Sequence, residues 1–267
     1  MAGKSPSKEV WASGDSYERF VGRWSRLVAK EFLKWLDLPK NCEWLDVGCG
    51  TGALSQTILN ETNPKSVKGI DRSDSYVEHT RQKLKDTRAE FEVGDAQSPP
   101  VQDDTFDTAV SGLVLNFVPE PEKMVSEMKR ALRTGGTVAL YVWDYAGKMQ
   151  WMRHFWNAAA ALDPAAHDLD EGRRFPICNP DALAELFRKI EFSRIEVHPI
   201  DIETTFRNFD DYWLPFLGGQ GPAGGYAMSL SEEKRAQLRE RILDSLPFAL
   251  DGSVPLVARA WAVRGVK

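Results

Sequence analysis

Glu43-Trp44-Leu45-Asp46-Val47-Gly48-Cys49-Gly50-Thr51-Gly52 carries the reading of the fold. Trp44, Leu45 and Val47 make a short apolar run suited to a buried parallel strand. Gly48, Gly50 and Gly52 follow at alternate positions, where the missing Cβ lets a ligand approach the backbone. Ala53-Leu54 then opens a helix, with Leu54 and Ile58 on one face. A strand that runs through a glycine turn into a helix N-terminus makes a site for a nucleotide or nucleoside.

Downstream the pattern repeats. Val67-Lys68-Gly69-Ile70-Asp71 reads as a second strand ending in a carboxylate. Asp71 lies roughly 20 residues past the glycines, the spacing at which an acidic side chain reaches ribose hydroxyls. A carboxylate suits two hydroxyl donors because it only accepts. The next helix buries Val77, Thr80 and Leu84, with Ser73 or Ser75 as its cap and Ser75 with Glu78 fitting a capping box. Phe91 to Ala96 reads as a third strand, again ending in an acid, Asp95. Thr105 to Ser111 is the fourth strand and leads into Gly112 to Val118. Pro119-Glu120-Pro121 starts a helix with Met124, Val125, Met128 and Leu132 inward, and Thr134-Gly135-Gly136 is expected to stop it with a C′ glycine. Thr137 to Trp143 is the fifth strand, closed by Asp144-Tyr145. Alternation of this kind predicts a parallel sheet with helices on both faces and ligands at the C-terminal strand ends.

Upstream, Leu27, Val28, Phe32, Trp35 and Leu36 share a helical face that Leu38-Pro39 should end. The piece Tyr17 to Arg23 holds more aromatic and cationic groups than a linker needs and reads as a flap over the site. The second half is less regular. Met149 to Leu162 is a helix rich in Trp, Phe and Ala, and residues 163–178 read as loop. Asn179-Pro180 caps another helix. Ile195, Val197, Ile200 and Ile202 mark a strand whose phase slips at Pro199, so an edge or bulge is expected there. Residues 210–226 are aromatic and then glycine-rich, as a linker or a mobile lid would be. Ser231 caps a charged helix carrying Leu238, Ile242 and Leu246. A last strand is expected over Val254 to Arg264, with Val257, Trp261 and Val263 on one face.

The bulk numbers fit this. The chain has 267 residues, is 42% hydrophobic and 27% charged, and carries a formal charge of −5. With no basic excess, a nucleic-acid partner is disfavoured. No apolar run approaches the roughly 18 residues of a membrane span, and the N-terminus has no apolar core of a secretory signal. Cys42, Cys49 and Cys178 form neither a CxxC pair nor a zinc spacing, so no metal is expected and a reducing cytoplasm is the plain reading. Nine tryptophans, several outside the predicted sheet, hint at an aromatic pocket.

Leu45 to Gly52 resembles the first motif of class I S-adenosylmethionine-dependent methyltransferases. Asp71, Gly94-Asp95-Ala96, Phe106-Asp107 and Leu132 to Gly136 are similar to the family's later motifs in order and spacing. The resemblance is specific from about Glu43 to Trp143 and is nearest the small-molecule branch typified by ubiquinone-biosynthesis and trans-aconitate methyltransferases. It implies an α/β, doubly wound, seven-stranded and mostly parallel sheet with an antiparallel last strand and helical lid insertions. It further implies one domain over 1–267: a cap arm and helix over 11–40, a cofactor core over 43–143, and a lid insertion over 207–250.

For the site, the resemblance implies that Gly48, Cys49, Gly50 and Gly52 line the methionine part of S-adenosylmethionine, with Asp46 near its amino group. Asp71, beside Arg72, would hold the ribose, and Asp95 with Ala96 the adenine. Ser111 and Leu113 would contact the methionine region, with Tyr17 and Arg23 in the cap and Arg23 a candidate for the methionine carboxylate. Asn116 stands where the family often has a histidine base. Asn116, Trp143 and Trp213 are candidate acceptor contacts, joined by Trp151 and Phe155. Asp144, Tyr145 and His154 are the titratable candidates for a base, which is needed only if the acceptor is protonated. The chain would act on a small molecule, as a monomer or homodimer. Two rivals remain. A nicotinamide-dependent oxidoreductase shares the glycines and Asp71, but Asp46 and the acid ending the third strand tell against it. A non-catalytic cofactor-binding protein is the other. An arsenic methyltransferase would need more acceptor thiols than three scattered cysteines.

Overall fold

The computed structural model describes residues 22–219 and 221–267. Tyr17 and the rest of the predicted flap up to Val21 lie outside the described residues. The chain divides into two units. The larger holds Arg23–Asp144, Phe175–Ile202 and Ala258–Lys267. The smaller, among the described residues, holds Tyr145–Arg174 and Glu203–Val257 together with Gly22.

The larger unit is built on one sheet. Its strands are β1 (Glu43–Val47), β2 (Ser66–Asp71), β3 (Ala89–Val93), β4 (Phe106–Gly112), β5 (Leu132–Trp143), β6 (Ser193–Glu203) and β7 (Val257–Val266). They lie in the order β3-β2-β1-β4-β5-β7-β6. The pairs β1 with β2, β2 with β3, β1 with β4 and β4 with β5 are parallel, and β7 runs antiparallel to β5. The strand order therefore reverses at β1, and the loops leaving β1 and β4 meet there, where such sheets bind ligands. This is the sheet the resemblance implies. Its middle strands are apolar because both faces are covered: Leu45, Val47, Ala109, Val110 and Val138 to Leu140 are all buried.

The helices of this unit are α1 (Arg23–Leu36), α2 (Ala53–Glu61), α3 (Asp74–Lys83), α4 (Pro121–Ala131) and, later in the chain, Pro180–Lys189. Helix α1 buries Trp24, Val28, Ala29, Phe32, Leu33 and Leu36, and its Phe32 ring lies 4.8 Å from Tyr141 of β5. Val28, Phe32 and Leu36 face inward as expected, while Leu27 is 44% exposed and Trp35 half-buried. The helix stops at Leu36 because Asp37 turns left-handed at φ 41°, before Pro39 can act.

Helix α3 is capped by Ser73, whose hydroxyl accepts from the Tyr76 N–H, while Glu78 bonds Gln82. The box predicted for Ser75 and Glu78 is thus not formed. Nor does Gly135 cap α4. That helix ends at Ala131, and Leu132 already pairs with Phe106 in the sheet. The register then shifts, and Gly135, at φ 83°, sits in the resulting bulge. Burying Leu132 in the sheet outweighs the local helix-stop signal.

Strand β6 is the edge of the sheet, as Pro199 suggested. Ile200 and Ile202 are buried, while Ile195 and Val197, four and two residues before Pro199, are half-buried. Strand β7 begins at Val257, not Val254, which forms a lone bridge with Phe206. Its most buried row is Ala258, Ala260 and Ala262, with Val263 buried on the other face. Val257, Trp261 and Val263 share one face, as expected, and the small residues of the other face are the more deeply buried.

The smaller unit is helical: Gln150–Leu162, Glu171–Arg174, Phe209–Trp213, Gly221–Ser229 and Glu232–Ser245, with tight turns at Pro164–Leu169 and Leu214–Gly218. Residues 163–178, read as loop, thus contain helical turns, and Gly221–Ser229 is a helix where a loose glycine-rich linker was one reading. Its interior is aromatic. Phe155 stacks on Phe216 at 4.5 Å, Trp151 packs on Phe216, and the Tyr212 hydroxyl donates to the Trp151 carbonyl at 2.6 Å. Ser231 caps the last helix as expected, accepting from the Lys234 N–H. No helix among the described residues is long and apolar enough to cross a membrane.

Candidate functional site

The turn after β1 is held by backbone and by one carboxylate. The N–H groups of Gly48 and Cys49 both donate to the Ile70 carbonyl, at 2.7 and 3.0 Å. The next free donor, Gly50 N–H, is met by Asp71 Oδ2 at 2.9 Å. Asp71 Oδ1 accepts from the Ser73 N–H at 2.9 Å. Asp71 is half-buried, so both oxygens are anchored while further lone pairs remain for hydroxyl donors. Arg72 beside it is exposed.

All three glycines have positive φ, but for different reasons. A Cβ on Gly48 would come within 2.5 Å of Val114, and one on Gly52 within 2.7 Å of Thr80. A Cβ on Gly50 would meet nothing within 4 Å. Gly48 and Gly52 thus seat the loop on its neighbours, and Gly50 leaves open backbone that a ligand can lie against.

Asp46 lies beneath this loop at the end of β1 and is 0% exposed. Its Oδ2 accepts from the Ser55 hydroxyl at 2.6 Å, and its Oδ1 is buried without a hydrogen-bond partner. Burial pushes its carboxyl up to about 7, with the Asp71 carboxylate adding to the rise against the Ser55 hydrogen bonds. A buried carboxyl with one neutral donor and one bare oxygen is costly to charge, and a cationic ligand group would relieve it.

The loop after β4 completes the switch point. The Ser111 hydroxyl is buried and donates to the Val47 carbonyl at 2.7 Å, tying β4 to the end of β1. Leu113 adopts φ 63°, an uncommon conformation for leucine, and its N–H donates to the Tyr141 carbonyl at 2.8 Å. That turn places Val114 against Gly48. Asn116 follows in a tight helical turn, and its Nδ2 is buried without a hydrogen-bond partner. After β3, Gly94 N–H donates to the Asp71 carbonyl, and exposed Asp95 accepts from the Gln97 N–H at 2.8 Å, beside half-buried Ala96.

The structure therefore brings Asp46, Gly48 to Gly52, Asp71, Ser111 and Leu113 to one end of the sheet. The other candidates lie elsewhere in the chain. The Arg23 guanidinium sits 4.5 Å over its neighbour Trp24. Trp143 ends β5 and is buried, with Asp144 following, its N–H bonded to the Arg259 carbonyl. Tyr145, His154 and Trp213 belong to the smaller unit. His154 Nδ1 lies 3.0 Å from the Ser245 hydroxyl, and burial pushes its ring pKa down. Trp213 is buried between Phe209 and Phe216, at ring distances of 6.4 and 6.2 Å. Trp151 and Phe155 are likewise buried core residues of that unit.

Two supporting residues escaped the sequence reading. Ser55 is the donor to Asp46, and Thr80 donates from α3 to the Gly50 carbonyl at 2.8 Å. Each sits on a helical face whose periodicity marks only burial. The signal that could have found them is a hydroxyl at an inward position, which needs a partner when buried.

Comparison with known proteins bears out the resemblance. Residues 45–140 match the family model described as a methyltransferase domain. The chain is 28% identical over 170 residues to trans-aconitate 2-methyltransferase of Variovorax paradoxus, covering 64% of this chain and 61% of that protein. It is 32% identical over 139 residues to demethylmenaquinone methyltransferase of Listeria welshimeri, covering 51% of this chain and 57% of that protein. The chain thus spans less than two thirds of these relatives. Phosphoethanolamine N-methyltransferase 2 of Haemonchus contortus, solved with phosphomonomethylethanolamine and S-adenosylhomocysteine, shares the fold with a TM-score of 0.58 at 18% identity. That likeness covers 95% of this chain and 56% of the other.

Proposed function

We propose that this chain, whose residues 45–140 belong to the class I S-adenosylmethionine-dependent methyltransferases, moves a methyl group from S-adenosylmethionine to a small-molecule acceptor. One observation carries the reading: open backbone at Gly50 lies over a fully buried Asp46 whose Oδ1 has no partner. A cationic amino acid joined to a nucleoside fits both features. The bound sulfonium supplies an already activated methyl, displaced in line, so the protein's part is placement and exclusion of water.

Each residue then has a task. Asp46 Oδ1 receives the amino group. Asp71, fixed by Gly50 and Ser73, accepts from the ribose hydroxyls. Asp95 accepts from the adenine amine beside Ala96. Ser111 and Leu113 shape the turn beside the methionine, with Tyr17 and Arg23 assigned to the cap and Arg23 to the methionine carboxylate. Asn116 is an amide and takes no proton near neutrality, so it orients the acceptor and does not act as a base. Asp144, Tyr145 and His154 are the groups left to take a proton. Acceptor selection is the role we give to segment 207–250 and to Trp143, on the strength of their aromatic composition. The free cysteines Cys42, Cys49 and Cys178 support a reducing, cytoplasmic setting.

Calorimetry with S-adenosylmethionine tests binding, and transfer of labelled methyl to a panel of small carboxylic acids, quinols and amines tests catalysis. Binding with transfer to at least one acceptor is expected. Folded protein that does not bind overturns the reading. Binding with no transfer to any acceptor favours the non-catalytic alternative.

A further inference from the structure

The end of β1 holds a buried carboxyl with one unpartnered oxygen. Asp46 is 0% exposed, Oδ1 has no hydrogen-bond partner, and among the described residues its hydrogen bonds come from Ser55 alone, a neutral residue whose hydroxyl lies 2.6 Å from Oδ2 and whose backbone adds to it. Among the described residues, the ionisable groups that act on it are Asp71, which opposes a second negative charge, and the Cys49 thiol in the loop above, itself buried and held well above its ordinary range. Neither is a cation. A carboxylate so placed gives up its proton only in the neutral range, because charging it costs desolvation that the Ser55 hydrogen bonds repay only in part.

Resting on the cofactor reading above, we propose that Asp46 is a proton-linked clamp, uncharged while the site is empty and surrendering its proton to solvent when a cationic primary amine seats against Oδ1. The exchange balances. A carboxylic acid and an ammonium group become a carboxylate–ammonium pair, and one proton leaves. Cofactor capture then tracks pH through the neutral range: acid conditions make the ligand compete with a proton, and alkaline conditions do not.

The probe is S-adenosylhomocysteine, which keeps the amine but has no methyl to transfer. Its own groups titrate outside pH 6 to 8, so any dependence in that window belongs to the protein. With the carboxyl near 7 in the empty site, affinity should weaken about tenfold from pH 8 to pH 6. Titration at pH 7 in buffers of different ionisation heat should report release of about half a proton. 5′-Methylthioadenosine, which lacks the amino acid, should bind with no such dependence. Asp46→Asn should bind S-adenosylhomocysteine more weakly at pH 8 and flatten its pH profile. Ser55→Ala, which leaves Asp46 in place without its donor, should move the midpoint to higher pH. A wild-type profile that is flat from pH 6 to 8, or proton release retained in Asp46→Asn, overturns the proposal. If neither nucleoside binds the folded protein, the cofactor reading falls and the clamp with it.

Discussion

Asp71 Oδ2 accepts the Gly50 N–H at 2.9 Å, so the carboxylate expected to bind the ribose also fixes the one of the loop's three glycines that has open space where a side chain would be. One residue thus sets both the shape of the loop and its polar contact. Replacing it removes two functions together. Asp71→Ala is expected to weaken S-adenosylmethionine binding at least tenfold, about 1.4 kcal/mol. Asp71→Asn keeps one acceptor oxygen and should lose less. Calorimetry checks both, and an unchanged affinity in Asp71→Ala would refute the assignment.

The glycines should separate stability from binding. In Gly48→Ala the new methyl meets Val114 at 2.5 Å with φ held at 77°, so the melting temperature should drop by several degrees. In Gly50→Ala the methyl meets nothing, and the left-handed backbone costs roughly 1–2 kcal/mol. Its larger effect should be on ligand affinity. Thermal melts with and without S-adenosylhomocysteine distinguish the two, and a Gly50→Ala protein with unaltered affinity would count against the open backbone as a ligand surface.

Two buried carboxyls should make the unliganded protein less stable as pH rises. Asp46 and Glu171 are each pushed up to about 7, chiefly by burial. Glu171 also accepts from the Trp156 indole. A raised carboxyl contributes stability that is complete below its unfolded value near 4 and is lost as pH passes through about 7. The melting temperature should therefore fall from pH 5 to pH 8, and Asp46→Asn and Glu171→Gln should each flatten part of the decline. A profile that rises over this range would contradict the burial argument.

Trp213 offers a test of core against pocket. It is buried against Phe209 and Phe216, so Trp213→Ala should cost about 3 kcal/mol of stability through the cavity it leaves. If it touches the acceptor as well, Trp213→Phe, which keeps much of the ring packing, should raise the acceptor KM with little loss in melting temperature. Denaturant titration and steady-state kinetics read the two effects separately.

Much of the cofactor half was legible from residue order. The apolar runs carrying Asp46 and Asp71 marked β1 and β2, because buried parallel strands are written as continuous apolar segments, whereas the third strand runs from Ala89 to Val93 and leaves Asp95 in the loop beyond it. Pro199 correctly marked an edge. What escaped depends on pairing across distance. Leu132 left its helix early because Phe106 was waiting in the sheet. Ser73 beat Ser75 to the cap. Leu27 turned outward because the neighbouring face, with Trp24 and Leu33, had more to bury. Ser55 and Thr80, which steady the site, look like ordinary helix residues until their partners are known. In the smaller unit, Tyr212, Trp213 and Phe216 announced aromatic packing, and the helix over Gly221–Ser229 ran against glycine's ordinary preference.

The place of β7 has a consequence for how the chain is made. It stands between β5 and β6, yet both of those strands are synthesised well before it. Until its ten residues arrive, β5 keeps a bare edge and β6 has no neighbour to join it to the sheet. A growing chain can assemble β1 to β5 with the glycine loop while this side stays open to mispairing until β7 has been made.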